Sequence, residues 1–319
     1  MEDFIARTVA VIIGHAVGDA LGVPVEFEDR ERLRRSPVMD MTGFGTYDVP
    51  KGAWSDDTSM SLCALDAIAE SGGINLDLTM INFCRWYYKG EFTPTGDTFD
   101  VGNTCSFAIE RYYTEGKAPT ESGLASERSN GNGSLMRIHP FALYLYGKQL
   151  PVNVKIEIIE KASSLTHAHE RSKIGCGIYS FILWELLQNP SKASVTEGAK
   201  RAMEYYNGRA ELSHYARLFN RICNVYGDFE ENCPESEIES SGYVVDTLEA
   251  AIWCLLTTES YEACALRAVN LGDDTDTVGA IAGSLAGALY GYESIPQGWR
   301  DTLIKREYIE ELCQRAYGK

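Results

Sequence analysis

Two short segments, Ser55-Asp56-Asp57-Thr58 and Asp273-Asp274-Thr275-Asp276-Thr277, stack carboxylates and hydroxyls directly in front of apolar helical runs. One such residue is an ordinary N-cap, worth about 1 kcal/mol to its helix. Two or three carboxylates in one turn repel each other, and the repulsion should exceed the capping gain. A divalent cation removes the objection. Carboxylate and hydroxyl oxygens are hard donors that suit Mg2+, Mn2+ or Ca2+ rather than Zn2+. If the two helix starts face each other, they hold enough oxygens for two ions sharing ligands. The spacing is not that of an EF-hand, which gathers its ligands within one loop of about 12 residues.

Other candidates surround this pair. Glu26, in GDALGVPVEF, follows a glycine-lined helix into a loop and is a further ligand or acid–base group. Asp19 in the same stretch is the weaker choice, able to face solvent or cap a neighbour. Asp100, Gly102, Asn103 and Thr104 open a helix, an arrangement that presents backbone N–H groups to a phosphate. Gly131, Asn132, Gly133 and Ser134 form a second polar loop, suited to an anionic or ribosyl ligand although neither a Walker loop nor GxGxxG. By itself such a run is a turn. His167 and His169 form an HxH without a third nitrogen or sulfur ligand, so a zinc site is not expected. One of the two reads as a ligand contact in a cleft, the other as structural.

Helices must position these groups. Val9, Ile12, Ile13, Ala16, Val17 and Ala20 follow helical spacing, with Gly14, Gly18 and Gly22 beside them at four-residue steps. Pro24 ends that helix and puts Glu26 just past it. A second helix follows Asp57 and stops at Ser71-Gly72-Gly73. A third, over Val278 to Leu289, again carries glycine every fourth residue, at Gly279, Gly283, Gly287 and Gly291. Each glycine costs a helix about 1 kcal/mol against alanine, which predicts compensation through close helix packing. Further amphipathic stretches fall at 76–89, 103–114, 153–163, 171–187, 195–207, 211–224, 246–256, 260–269 and 299–316. Alternating strand patterns are nearly absent. The expectation is an all-α fold in one domain over 1–319, with 227–242 an acidic surface loop.

Composition narrows the function classes. With 46 acidic against 29 basic residues the formal charge is −17, which repels a phosphodiester backbone and makes nucleic acid an unsuitable primary partner. Nine cysteines occur singly, without CxxC pairs, as expected of core thiols in a reducing cytosol. The N-terminus lacks a basic n-region and cleavage site, so it does not read as a signal peptide. No membrane-spanning segment and no obligate oligomer are expected; the chain reads as a cytoplasmic monomer.

Taken together, GHAVGDALGVPVEF, GAWSDDTSMSL, FDVGNT, GNGSLMRIHPFAL, THAHE and AVNLGDDTDTVGAIAGSLAGALYG resemble, in order, the motifs of the ADP-ribosylglycohydrolase family. The resemblance implies an orthogonally packed helical domain with a binuclear Mg2+ or Mn2+ centre at the base of a cleft. Its metal motifs fall on Ser55, Asp56 and Asp57 and on Asp274, Asp276 and Thr277. Asp273 stands where the family often has glycine and is left out of the ligand set. Glu26 matches a glutamate near the metals, and Asp100 an aspartate of the substrate loop. Gly102, Asn103, Thr104, Gly131, Asn132, Gly133 and Ser134 match segments lining an ADP-ribose cleft, with His167 as a further contact. The implied reaction is hydrolysis of the bond from ribose C1″ to an acceptor, with Asp100 or Glu26 as general base or stabiliser of the opening ribose. The expected substrate is ADP-ribosyl-arginine on protein or a small ADP-ribose conjugate. ADP-ribosyl-serine or O-acetyl-ADP-ribose hydrolysis, or a module that binds ADP-ribose without cleaving it, are the alternatives.

Overall fold

The two glycine stripes decide how the chain is assembled. A computed structural model describes residues 2–224 and 233–318, and in it helix Glu2–Gly22 lies antiparallel against helix Thr275–Tyr290. A Cβ on Gly14 would lie 2.5 Å from the Gly283 carbonyl oxygen, and one on Gly18 only 2.1 Å from that of Gly279. Reciprocally, a Cβ on Gly287 would lie 2.2 Å from the Ala10 carbonyl oxygen. Backbone touches backbone along the whole seam, and the dispersion gained there offsets the helix cost of the glycines. The antiparallel arrangement brings the end of the first helix to the start of the second. A Cβ on Gly22 would meet Asp276 Cα at 2.3 Å, so Glu26 and Asp276 emerge at the same end of the pair.

The first helix is long and apolar enough to cross a membrane (Phe4–Val25, mean hydropathy 1.6), but 89% of that window is buried inside the fold. It is a core helix. Helix Asp56–Ser71 packs beside it and ends at Gly72, whose φ of 67° forms the left-handed C-cap. Its outer neighbours are Leu76–Lys89 and Arg306–Tyr317. The remaining layer comprises Val152–Ser163, Glu170–Gln188, Lys192–Asn207, Val244–Leu256 and Tyr261–Val269. Among the described residues there are no strands, only the isolated bridges Leu124–His167 and Gly131–Tyr243.

Three expectations are corrected, and one helix that the spacing did not announce is added. The stretch 211–224 is helical from Ser213 on but not one α-helix: the α-helical segments Ser213–Ala216 and Asn220–Asn224 flank a 3-10 segment, Arg217–Phe219. The stretch 299–316 breaks between Gln297–Thr302 and Arg306–Tyr317, with Lys305 at φ 56°. The break frees residues 304 and 305 for other loops: Ile304 N donates to Gly52 O at 3.0 Å and Lys305 Nζ to Thr93 O at 2.7 Å. The run HPFAL is a helix, His139–Tyr146, opened by Pro140 in its first turn, where a missing N–H costs nothing. Finally, 227–242 is not simply a surface loop. Residues 227–232 lie outside the described residues, but Cys233, Ile238 and Ser240 are buried. Eight cysteines are free and buried, as expected of core thiols; the side chain of Cys223 lies outside the described residues.

Candidate active site

Capping of helix Asp56–Ser71 is carried out by residues other than its paired aspartates. Ser55 Oγ accepts from Asp57 N at 3.2 Å. Asp19, fully buried in the first helix, accepts from Ser55 N at 2.9 Å, Thr58 N at 3.0 Å and Thr58 Oγ1 at 2.6 Å. Asp19 therefore caps a neighbouring helix, the second of its two expected roles, and the Asp56 and Asp57 carboxylates are left for other work. Both are buried.

The two acidic motifs face each other, as the metal reading requires. Thr277 Oγ1 donates to Asp57 Oδ2 at 3.2 Å across the interface between their helices. Thr275 Oγ1 donates to Gly22 O at 2.8 Å, tying one helix start to the other helix end. Asp274 N donates to Ser240 O at 3.0 Å, and Asp274 Oδ2 accepts from Asn132 Nδ2 at 2.9 Å. Asp273 differs from its neighbours: it is exposed and adopts φ 64°, the left-handed conformation that glycine takes without strain. Its backbone clips Phe27 and Glu28, accepting at 2.7 Å and donating at 2.9 Å. Its exclusion from the ligand set agrees with that position.

Glu26 and Asp100 close the remaining side. Glu26, Asp100 and Asp276 each place one carboxylate oxygen within 4.8 Å of the others. Burial pushes Glu26 up to about 9, reinforced by the charges of Asp100 and Asp274. Burial likewise drives Asp56, Asp57 and Asp276 well above the carboxylate range, with neighbouring carboxylates adding to it. Glu26 Oε2, Asp57 Oδ1, Asp274 Oδ1 and Asp276 Oδ2 are buried and meet no hydrogen-bond donor among the described residues. Four orphaned acceptors converging in one place would each carry a desolvation cost. Hard oxygens with unused lone pairs fit divalent cations such as Mg2+ or Mn2+, whose charge also relieves the repulsion.

The cleft loops divide into a facing layer and a backing layer. Gly102 and Asn103 are exposed and Thr104 half-buried at the start of helix Asn103–Glu115, where no side chain caps the first N–H groups. Gly131 is half-buried and its carbonyl neighbours tie down the loop: Val244 N donates to Asn130 O and Asn132 N to Gly242 O, each at 3.0 Å. Asn132 is more than a cleft residue, since its side-chain amide donates to both Thr247 Oγ1 and Asp274 Oδ2 at 2.9 Å. Gly133 must lack a side chain: a Cβ there would lie 2.8 Å from Cys105 Sγ and 2.9 Å from His167 Cε1. Ser134 and His167, expected to line the cleft, lie buried behind the loop. Ser134 is wholly buried with its Oγ on Ser163 and Cys176, and His167 is 1% exposed behind Gly133, with Nδ1 on Thr166 Oγ1 at 2.8 Å. A short polar side chain next to glycine carries no sequence signal that separates these two layers. His169 caps helix Glu170–Gln188 through Nδ1, the structural role expected for one of the pair.

Sequence patterns did not reveal Tyr47, whose hydroxyl donates to Asp100 Oδ1 at 2.6 Å. It lies in an aperiodic loop, where only the turn residues of GFGTYDVPKG stand out.

The family model described as ADP-ribosylglycohydrolase matches residues 1–319. The chain is 34% identical to the ADP-ribosylarginine hydrolase Tri1 of Serratia proteamaculans, over 96% of this chain and 77% of that one. It is 31% identical to the ADP-ribosyl-[dinitrogen reductase] glycohydrolase of Rhodospirillum rubrum, over 96% and 94% respectively. A solved structure titled "ADP-ribosylglycohydrolase-related protein complex" superposes with a TM-score of 0.81 at 30% identity, covering 100% of this chain and 99% of that one.

Proposed function

The chain belongs to the ADP-ribosylglycohydrolase family and is a glycohydrolase, and from that premise we propose that it hydrolyses the ribose C1″–nitrogen bond of ADP-ribosyl-arginine on protein, with two divalent cations, Mg2+ or Mn2+, as cofactors. The observation that carries the reading is that Glu26, Asp57 and Asp274 all bring their charge to bear on Asp276, and each of the four has a buried, unmet carboxylate oxygen. Preference for arginine is supported by relatives named ADP-ribosylarginine hydrolase at 34% and 32% identity. A module that only binds ADP-ribose is disfavoured, because loss of catalysis should leave gaps in a carboxylate set that is complete here.

Ser55, Asp56, Asp57, Asp274, Asp276 and Thr277 would hold the ions, which when bound orient the ribose diol and lower the pKa of a water. Asn132 keeps Asp274 aimed into the site, and Asp19 keeps the Ser55–Thr58 turn in place. Asp100 and Glu26 divide the remaining chemistry: one accepts the proton of the attacking water and the other stabilises the opening ribose. Free N–H groups at Gly102, Asn103 and Thr104 and the backbone of Gly131 to Gly133 suit the diphosphate. Ser134 and His167 support that backbone from behind. Buried free thiols favour a reducing cytosol, where we place the enzyme as a monomer.

The test is incubation with ADP-ribosyl-arginine, ADP-ribosyl-serine and O-acetyl-ADP-ribose substrates, with Mg2+, Mn2+ or EDTA, scored by free ADP-ribose. The reading expects release from the arginine substrate that EDTA abolishes. Release from the serine substrate alone would overturn the linkage, and undiminished release in EDTA would overturn the metal requirement.

A further inference from the structure

We propose that Tyr47 is a positioning residue that clamps the Asp100 carboxylate against Glu26 and Asp276. Tyr47 belongs to the loop between helices Arg30–Arg35 and Asp56–Ser71, and that loop is fastened to the segment carrying Glu26. Thr46 N donates to Pro24 O at 3.1 Å, and Thr46 Oγ1 donates to Glu26 O at 2.7 Å. Gly45, at φ 98°, lies so close to Pro24 that a Cβ would be 2.0 Å from its carbonyl oxygen. Phe44 N closes the turn on Val49 O at 2.8 Å. The backbone on either side of Tyr47 is thereby fixed relative to Glu26.

From that anchor the Tyr47 side chain reaches the separate segment that carries Asp100. Its ring packs on Phe99, with centroids 5.0 Å apart and planes at 49°. Its hydroxyl donates to Asp100 Oδ1 at 2.6 Å. Asp100 needs such a restraint. Its φ of 56° lies in the left-handed region, which a residue with a Cβ keeps only where its surroundings hold it. One aromatic side chain thus joins the two segments whose carboxylates meet Asp276 within 4.8 Å. The Tyr47 hydroxyl fixes the orientation in which the Asp100 carboxylate faces the site.

The inference rests on Asp100 belonging to the reacting site, and a double-mutant cycle separates the two claims. Tyr47→Phe keeps the ring on Phe99 and removes only the hydroxyl. We expect kcat to fall about tenfold, with KM within about threefold and melting temperature unchanged, because misorientation of a reacting group acts on the chemical step. In the Asp100→Asn background the same substitution should add no further loss. Where steady-state turnover of Asp100→Asn falls below detection, the cycle is read on the single-turnover rate with enzyme in excess, with the same expected non-additivity. Wild-type kcat in Tyr47→Phe overturns the inference, as do losses that multiply in the double variant. Wild-type turnover in Asp100→Asn refutes instead the placement of Asp100 in the reacting site.

Discussion

Glu26 should make the cation-free protein lose stability as the pH rises. Its carboxyl titrates near 4.5 in the unfolded chain and at about 9 in the fold, where burial and the charges of Asp100 and Asp274 hold its proton. Between those values the folded state binds more protons than the unfolded one, so stability is greatest below 4.5 and declines as pH climbs toward 9. Each pH unit in that window removes about 1.4 kcal/mol, or roughly 3 kcal/mol between pH 5 and 7. For 319 residues with an unfolding entropy of about 2.1 cal/mol/K per residue, this lowers the melting temperature by about 4 °C. A cation present at about 100 times its Kd returns about 2.7 kcal/mol, and its effect grows with pH because ionised carboxylates bind it. The assay is thermal melting at pH 5, 6 and 7, in EDTA and in Mg2+ or Mn2+, for wild type and Glu26→Gln. We expect a falling melting temperature in EDTA, a flatter profile with cation, and a smaller slope in Glu26→Gln. An EDTA profile with the same slope in both proteins, or no gain from either cation at pH 7, would refute the reasoning.

Two further outcomes follow from the same geometry. Asp56→Asn or Asp274→Asn should lower turnover by about a thousandfold or more while raising the melting temperature of the EDTA-treated protein, because each removes a carboxyl whose ionisation burial opposes; near wild-type ADP-ribose release from either variant would sink the two-ion assignment. Gly18→Ala sets a Cβ 2.1 Å from the Gly279 carbonyl, so overpacking of about 1–3 kcal/mol should appear in urea unfolding. Activity should fall with it as Asp276 moves away from Glu26. Gly73→Ala, where the nearest neighbour is 3.5 Å away, serves as the unchanged control.

The loop residues show where reading the sequence met its limit. Gly131 to Ser134 look alike as a polar run, yet they divide into a facing backbone, a ligand-positioning amide at Asn132 and a buried hydroxyl at Ser134. That division comes from helix Val244–Leu256 and the Thr166–His167 turn packing behind the loop, and neither is near in sequence. Asp19 shows the same limit from the other side. Its neighbours announce a helix, but three donors from residues 55 and 58 decide that it is a buried cap.

What the sequence by itself determined is local chemistry and periodicity. It established the helical class, the glycine stripes, the end of the first helix before Glu26, and two acidic motifs too crowded to be caps. Such features are encoded within a few turns of chain, where residue type and spacing act directly. Only the tertiary structure decided which oxygens are left without donors, that Asp57 and Thr277 meet across two helices, and that Tyr47 reaches Asp100. Those contacts join residues far apart along the chain, and their energies depend on burial, which exists only once the glycine seam has closed.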